Sequence, residues 1–74
     1  MTTPEARALT WVLEQSVGLA CDNWDCQDVE TFDDLICLCA LLVRVGGSQE
    51  TADRLTHDCV QYRAKVADCQ GAAP

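Results

Sequence analysis

The sequence predicts an all-α fold: a small three-helix domain built on an antiparallel helical hairpin (about residues 29–45 and 48–69), with an N-terminal helix (about 4–20) and disulfide staples across the hairpin. Three observations carry this reading. Apolar residues recur with a period near 3.6 in three separate stretches, Gly46-Gly47 separates the second from the third, and six cysteines fall in 74 residues. A chain of this length forms one domain, residues 1–74, and buries only about 60 to 65% of the surface its unfolded form exposes. Its core is therefore marginal, and cysteines are a usual compensation.

The first helix starts well. Thr3 is a candidate N-cap, Pro4 takes the first helical position where a missing N–H costs nothing, and Glu5 lies near the positive end of the helix dipole. Leu9, Val12, Leu13, Ser16, Val17 and Ala20 then make one stripe. Trp11 falls on the opposite side, and an exposed Trp is a candidate partner contact.

Residues 21–28, Cys-Asp-Asn-Trp-Asp-Cys-Gln-Asp, are too rich in Asp and Asn to continue the helix. Charge gathers from here onward: Asp22, Asp25, Asp28, Glu30, Asp33 and Asp34 lie in thirteen residues that contain no basic group. The run lacks the Gly and the terminal bidentate Glu of an EF-hand loop, so it reads as a solvated face that complements the start of the next helix. Trp24 lies among these acids.

The second helix begins with Asp28 or Thr31 as N-cap and ends at Gly46-Gly47. It holds the run Leu35–Val43, nine residues without a polar side chain, which is too short for a bilayer span of ~20 apolar residues. Val29, Phe32, Ile36, Cys39 and Val43 form one stripe, and Leu35, Leu38 and Leu42 form a second beside it. A helix apolar around so much of its circumference is covered on more than one side, by the other two helices or by a second copy. The third helix opens at Ser48, buries Ala52, Leu55, Cys59, Tyr62, Val66 and Cys69, and stops at Gly71 before a frayed tail. His57 falls off that stripe and reads as a surface histidine.

The short connection makes helices 2 and 3 an antiparallel pair, so residues equally distant from the turn are level. Cys37 lies ten positions before Gly47 and Cys59 twelve after; Cys26 lies twenty-one before and Cys69 twenty-two after. This arithmetic predicts an outer staple, Cys26 with Cys69, and an inner one, Cys37 with Cys59, each stabilising by about 2 to 4 kcal/mol. Cys39 is then a buried thiol that behaves as a small hydrophobe, and Cys21 lies near Cys26.

From Cys26 to Cys69 the chain resembles the twin CX9C (coiled-coil-helix-coiled-coil-helix, CHCH-type) hairpin of small mitochondrial intermembrane-space proteins. Ten residues separate Cys26 from Cys37, and nine separate Cys59 from Cys69. The resemblance implies the same outer and inner pairing and the absence of a cleavable presequence. Cys37-Leu38-Cys39 followed by Cys59 and Cys69 is also similar to the latter half of the plant lipid-transfer-protein pattern, without that family's adjacent cysteines and basic charge.

A net charge of −7, with five basic residues, argues against nucleic acid and against an anionic membrane, and favours a basic protein partner. No secretory signal is visible at Met1-Thr2-Thr3-Pro4-Glu5, whereas the cysteine pairing suggests an oxidising compartment. No catalytic residue, cofactor or metal is assigned: His57 has no nucleophile beside it, and no Cys-x-x-Cys is present. The leading expectation is a non-enzymatic adaptor, inhibitor or modulator acting by protein–protein interaction through Trp11, Asp22, Trp24, Asp25, Asp28, Glu30, Asp33 and Asp34. One alternative is a metal carrier or sensor using Cys21, Cys26, Cys37 or Cys39; another is an exported signal or apolar-ligand carrier. A homodimer is compatible with each.

Overall fold

A computed structural model describes residues 2–71, and these form three α-helices and no strand. Helix α1 (Pro4–Asp22) is followed by a 3-10 turn (Trp24–Cys26), then α2 (Val29–Arg44) and α3 (Gln49–Gly71). The expected tail beyond Gly71 lies outside the described residues. Each helix start is capped as its sequence predicts. Thr3 Oγ1 accepts from the Ala6 N–H at 3.1 Å, Asp28 Oδ1 from the Thr31 N–H at 3.0 Å, and Ser48 Oγ from the Thr51 N–H at 3.3 Å. Between the two candidates at the start of α2, the cap is Asp28, whose carboxylate also accepts from the Thr31 hydroxyl.

Helix α2 ends in a Schellman turn. The Gly47 N–H donates to the Leu42 carbonyl at 2.8 Å and the Gly46 N–H to the Val43 carbonyl at 3.1 Å, with Gly46 at φ +97°. A positive φ is costly for any residue with a Cβ, so this is a glycine position. The Thr3 hydroxyl donates to the Val45 carbonyl at 2.7 Å, tying the start of α1 to the end of α2. Those two helices are thus antiparallel. Arg54 of α3 meets Glu14 of α1 at 3.2 Å, and Arg63 of α3 meets Asp33 of α2 at 2.6 Å. The three helices run up, down and up.

The core is drawn from the predicted stripes: Ala6, Leu13, Val17 and Ala20 of α1, Phe32, Leu35, Cys39 and Leu42 of α2, and Ala52, Leu55, Cys59 and Val66 of α3. Both neighbours cover α2, as its wide apolar surface requires. Three predicted core positions are corrected. Val12 and Leu38 are exposed at the edges of their stripes, and Cys69 is exposed near the end of α3. With 23 residues against 16, α3 outruns α2 by roughly 10 Å. The 3-10 turn covers part of that overhang, where Trp24 lines a cleft with Val66 and Cys69.

Candidate functional site

The six cysteines are all free thiols. The expected Cys37–Cys59 staple is corrected by its geometry: Cys37 is exposed, whereas Cys59 is fully buried. Levels counted from the turn place residues along the helix axis but not around it. Cys39, two residues further and about 200° around, is the one that turns inward. Cys39 and Cys59 are both fully buried in the one core, with Cys21 packed against it. Cys26 and Cys69, the expected outer pair, are both exposed thiols at the overhanging end of the bundle.

Burial, followed by the nearby Cys39, Cys21 and Asp58, pushes the Cys59 thiol up to about 12. Burial is also the leading cause that raises Cys39, partly offset by a hydrogen bond with the Thr56 side chain. Cys21 is raised by burial and then by Asp58 and Asp22. Thiols held protonated in this way are poor nucleophiles and poor metal ligands, because both roles require the thiolate. Among the described residues, no three His, Cys, Asp or Glu side chains are arranged to hold a metal ion. The residues offered for the metal alternative fit it poorly: Cys37 and Cys39 project to different sides of α2.

The acidic candidates divide into two groups. Asp28 is occupied as the α2 cap, and Asp33 takes a forked contact from Arg63, with Nε to Oδ1 at 2.6 Å and Nη2 to Oδ2 at 3.4 Å. That contact raises the Arg63 pKa. Asp22, Asp25, Glu30 and Asp34 are exposed, and none is in a salt bridge among the described residues. They form an acidic end of the bundle at the junction of α1 and α2.

The two tryptophans are not brought together. Trp24 is half-buried against the core, with Lys65 Nζ 5.7 Å from its ring centroid and 4.7 Å from that of Tyr62. Trp11 is 66% exposed and lines a shallow cleft with Arg7, Glu14 and Thr51, between α1 and α3. Asp22 lies eleven positions further on, about 16 Å along the helix, so Trp11 is not part of the acidic end. His57 is exposed, as its position off the stripe predicts.

Sequence reasoning missed an apolar surface along the seam of α1 and α2. Val12 and Leu19 of α1, with Leu38 and Leu41 of α2, are 37 to 65% exposed. An open cleft of about 570 Å³ runs between these helices, lined by Ser16, Leu19, Asn23, Cys26, Thr31 and Leu35 among others. The signal was present in the sequence: Glu30, Asp34, Leu38 and Leu41 lie on one line of α2 at spacings of four, four and three. Comparisons with protein-family models, curated proteins and solved structures find no match to this chain. No helix among the described residues is long and apolar enough to cross a membrane.

Proposed function

We propose that this chain is a non-enzymatic adaptor, inhibitor or modulator that acts by protein–protein interaction through the acidic end of its bundle. The observation that carries this reading is the set Asp22, Asp25, Glu30 and Asp34. These four carboxylates are exposed and without a basic partner, beside the exposed Leu19. Charge of one sign next to apolar surface steers a partner of opposite charge and then gives it something to bury against. Trp11 offers a separate contact on the α1–α3 side. The likeness to the twin CX9C hairpin enters this reading as an analogy of architecture, resting on the antiparallel pair and on Cys59 and Cys69.

The test is capture from extracts of the source organism by the native chain and by a D25K/E30K variant. The variant should keep its helical circular dichroism and lose the captured protein. Equal capture by both chains would sink the reading.

A further inference from the structure

The seam between α1 and α2 has the form of a docking groove with a direction. One wall is Val12, Ser16 and Leu19 of α1 with its C-cap Asn23, spaced by four, three and four; the other is Glu30, Asp34, Leu38 and Leu41 of α2. Residues at such spacings lie in line along a helix, so each wall presents a continuous row. Val12, Leu19, Leu38 and Leu41 are exposed, while Ala20, Leu35 and Leu42 are buried and belong to the core beneath. Because the two helices are antiparallel, Val12 lies toward Leu41 and Asn23 toward Thr31. The groove is therefore apolar at one end and carries carboxylates, Glu30 and Asp34, on its α2 wall toward the other. From Val12 to Asn23 it is about 16 Å long, three turns of a helix.

The charges select the occupant. Arg54 and Arg63 are engaged with Glu14 and Asp33, and Lys65 lies over Trp24 and Tyr62. Arg7 faces the α1–α3 side, and Arg44 stands beyond the apolar end of the α2 wall. At the acidic end, Glu30 and Asp34 continue the α2 wall, are exposed and form no salt bridge among the described residues, whereas Asp22 and Asp25 line clefts on the α3 side. A second copy of this chain, carrying −7, would bring like charge against that end. A groove three helical turns long, with Ala20 and Leu35 in its lining and carboxylates toward one end, is complementary to an amphipathic helix with Lys or Arg gathered at one end of its apolar stripe.

We infer that the α1–α2 groove receives a cationic amphipathic helix of about three turns from a partner protein, its apolar stripe on Val12, Leu19, Leu38 and Leu41 and its basic end over Glu30 and Asp34. This rests on the protein-interaction reading above and adds to it the chemistry and direction of the partner segment.

The probe is a synthetic Leu/Lys amphipathic peptide of about four turns with its Lys residues at one end, compared with the same peptide carrying Glu for Lys. The Lys peptide is expected to shift the methyl resonances of Val12, Leu19, Leu38 and Leu41, and the Glu peptide to bind at least about tenfold more weakly. L19E and L38E are each expected to lower affinity about tenfold, whereas V60E, on the exposed outer face of α3, should leave it unchanged. Binding that ignores L19E and L38E, equal binding of the Glu peptide, or a free chain that sediments as a dimer through these methyls would each overturn the inference. The extract experiment separates the two claims. If L19E/L38E captures normally while D25K/E30K does not, the groove inference falls and the acidic-end reading stands; if both variants capture normally, both fall.

Discussion

Arg63 reaches across from α3 to clasp Asp33 near the start of α2, with Nε 2.6 Å from one carboxylate oxygen and Nη2 3.4 Å from the other. It neutralises one acid of the run from Asp22 to Asp34 and sets the register of the hairpin far from its turn. Both side chains remain about half exposed, so the contact is screened by water and salt. R63M should therefore lower the urea midpoint only slightly at low ionic strength, and the difference from the native chain should close in concentrated NaCl. A large, salt-insensitive loss would mean that the pair acts through packing.

The thiols should label in the order of their burial. Cys26, Cys37 and Cys69 are exposed, Cys21 is half-buried, and Cys39 and Cys59 are fully buried. Iodoacetamide on the reduced native chain, followed by peptide mass mapping, should modify the exposed three first and Cys21 more slowly. Cys39 and Cys59 should react only on unfolding, at least about a hundredfold slower than Cys37, because reaching them requires opening the core. Early labelling of Cys39 together with protection of Cys37 would reverse the orientation assigned to α2.

The same burial determines how stability responds to alkali. In the folded chain the Cys59 thiol is pushed up to about 12, by burial first, and Cys39 and Cys21 are raised in the same direction. A thiol raised on folding keeps its proton where the unfolded chain, with pKa about 8.5, has lost it. Stability from these groups is complete below about pH 8.5 and declines as the pH rises above it, for Cys59 by about 1.4 kcal/mol per pH unit until its folded value of about 12 is reached. Urea midpoints should fall between about pH 9 and pH 11, and C59A should flatten that fall. A midpoint independent of alkaline pH would contradict the burial of Cys59.

Two glycines should respond in opposite directions to the same substitution. At Gly47 a Cβ would stand 2.8 Å from the Leu42 carbonyl oxygen and crowd the Leu42 side chain, which is core. At Gly18, exposed within α1, a Cβ meets nothing within 4 Å. G47A should destabilise by about 1 to 3 kcal/mol by forcing the turn and Leu42 apart. G18A should stabilise by up to about 1 kcal/mol through helix propensity. Thermal midpoints of the two variants, moving up for G18A and down for G47A, check the pair; a neutral G47A would show that the turn can relax.

Much of the fold was legible in the chain because helix signals are local. Thr3-Pro4-Glu5, Asp28 and Ser48 start the helices through bonds to N–H groups three residues away, and Gly46-Gly47 closes α2 through carbonyls three to five residues back. The Trp24–Cys26 turn was missed because its three residues carry no periodicity; it packs beneath α3, a contact of the tertiary fold. The candidate site was less legible. Residue type alone marked Asp28 and Asp33 as equals of Asp25 and Asp34, whereas a cap and Arg63 occupy the first two.

By itself, the sequence determined three helices, their caps, the turn that folds two of them back to back, and an acidic segment between the first two. Periodicity, caps and net charge depend only on residues a few positions apart, so no packing is needed to read them. The tertiary structure alone decided the angle at which each helix meets its neighbours. That rotation turned Cys39 inward and Cys37 outward, set Trp24 against the core, and left Val12, Leu19, Leu38 and Leu41 along an open seam. The physical reason is that a stripe wider than its contact must leave one edge uncovered, and which edge depends on how all three helices fill the core together.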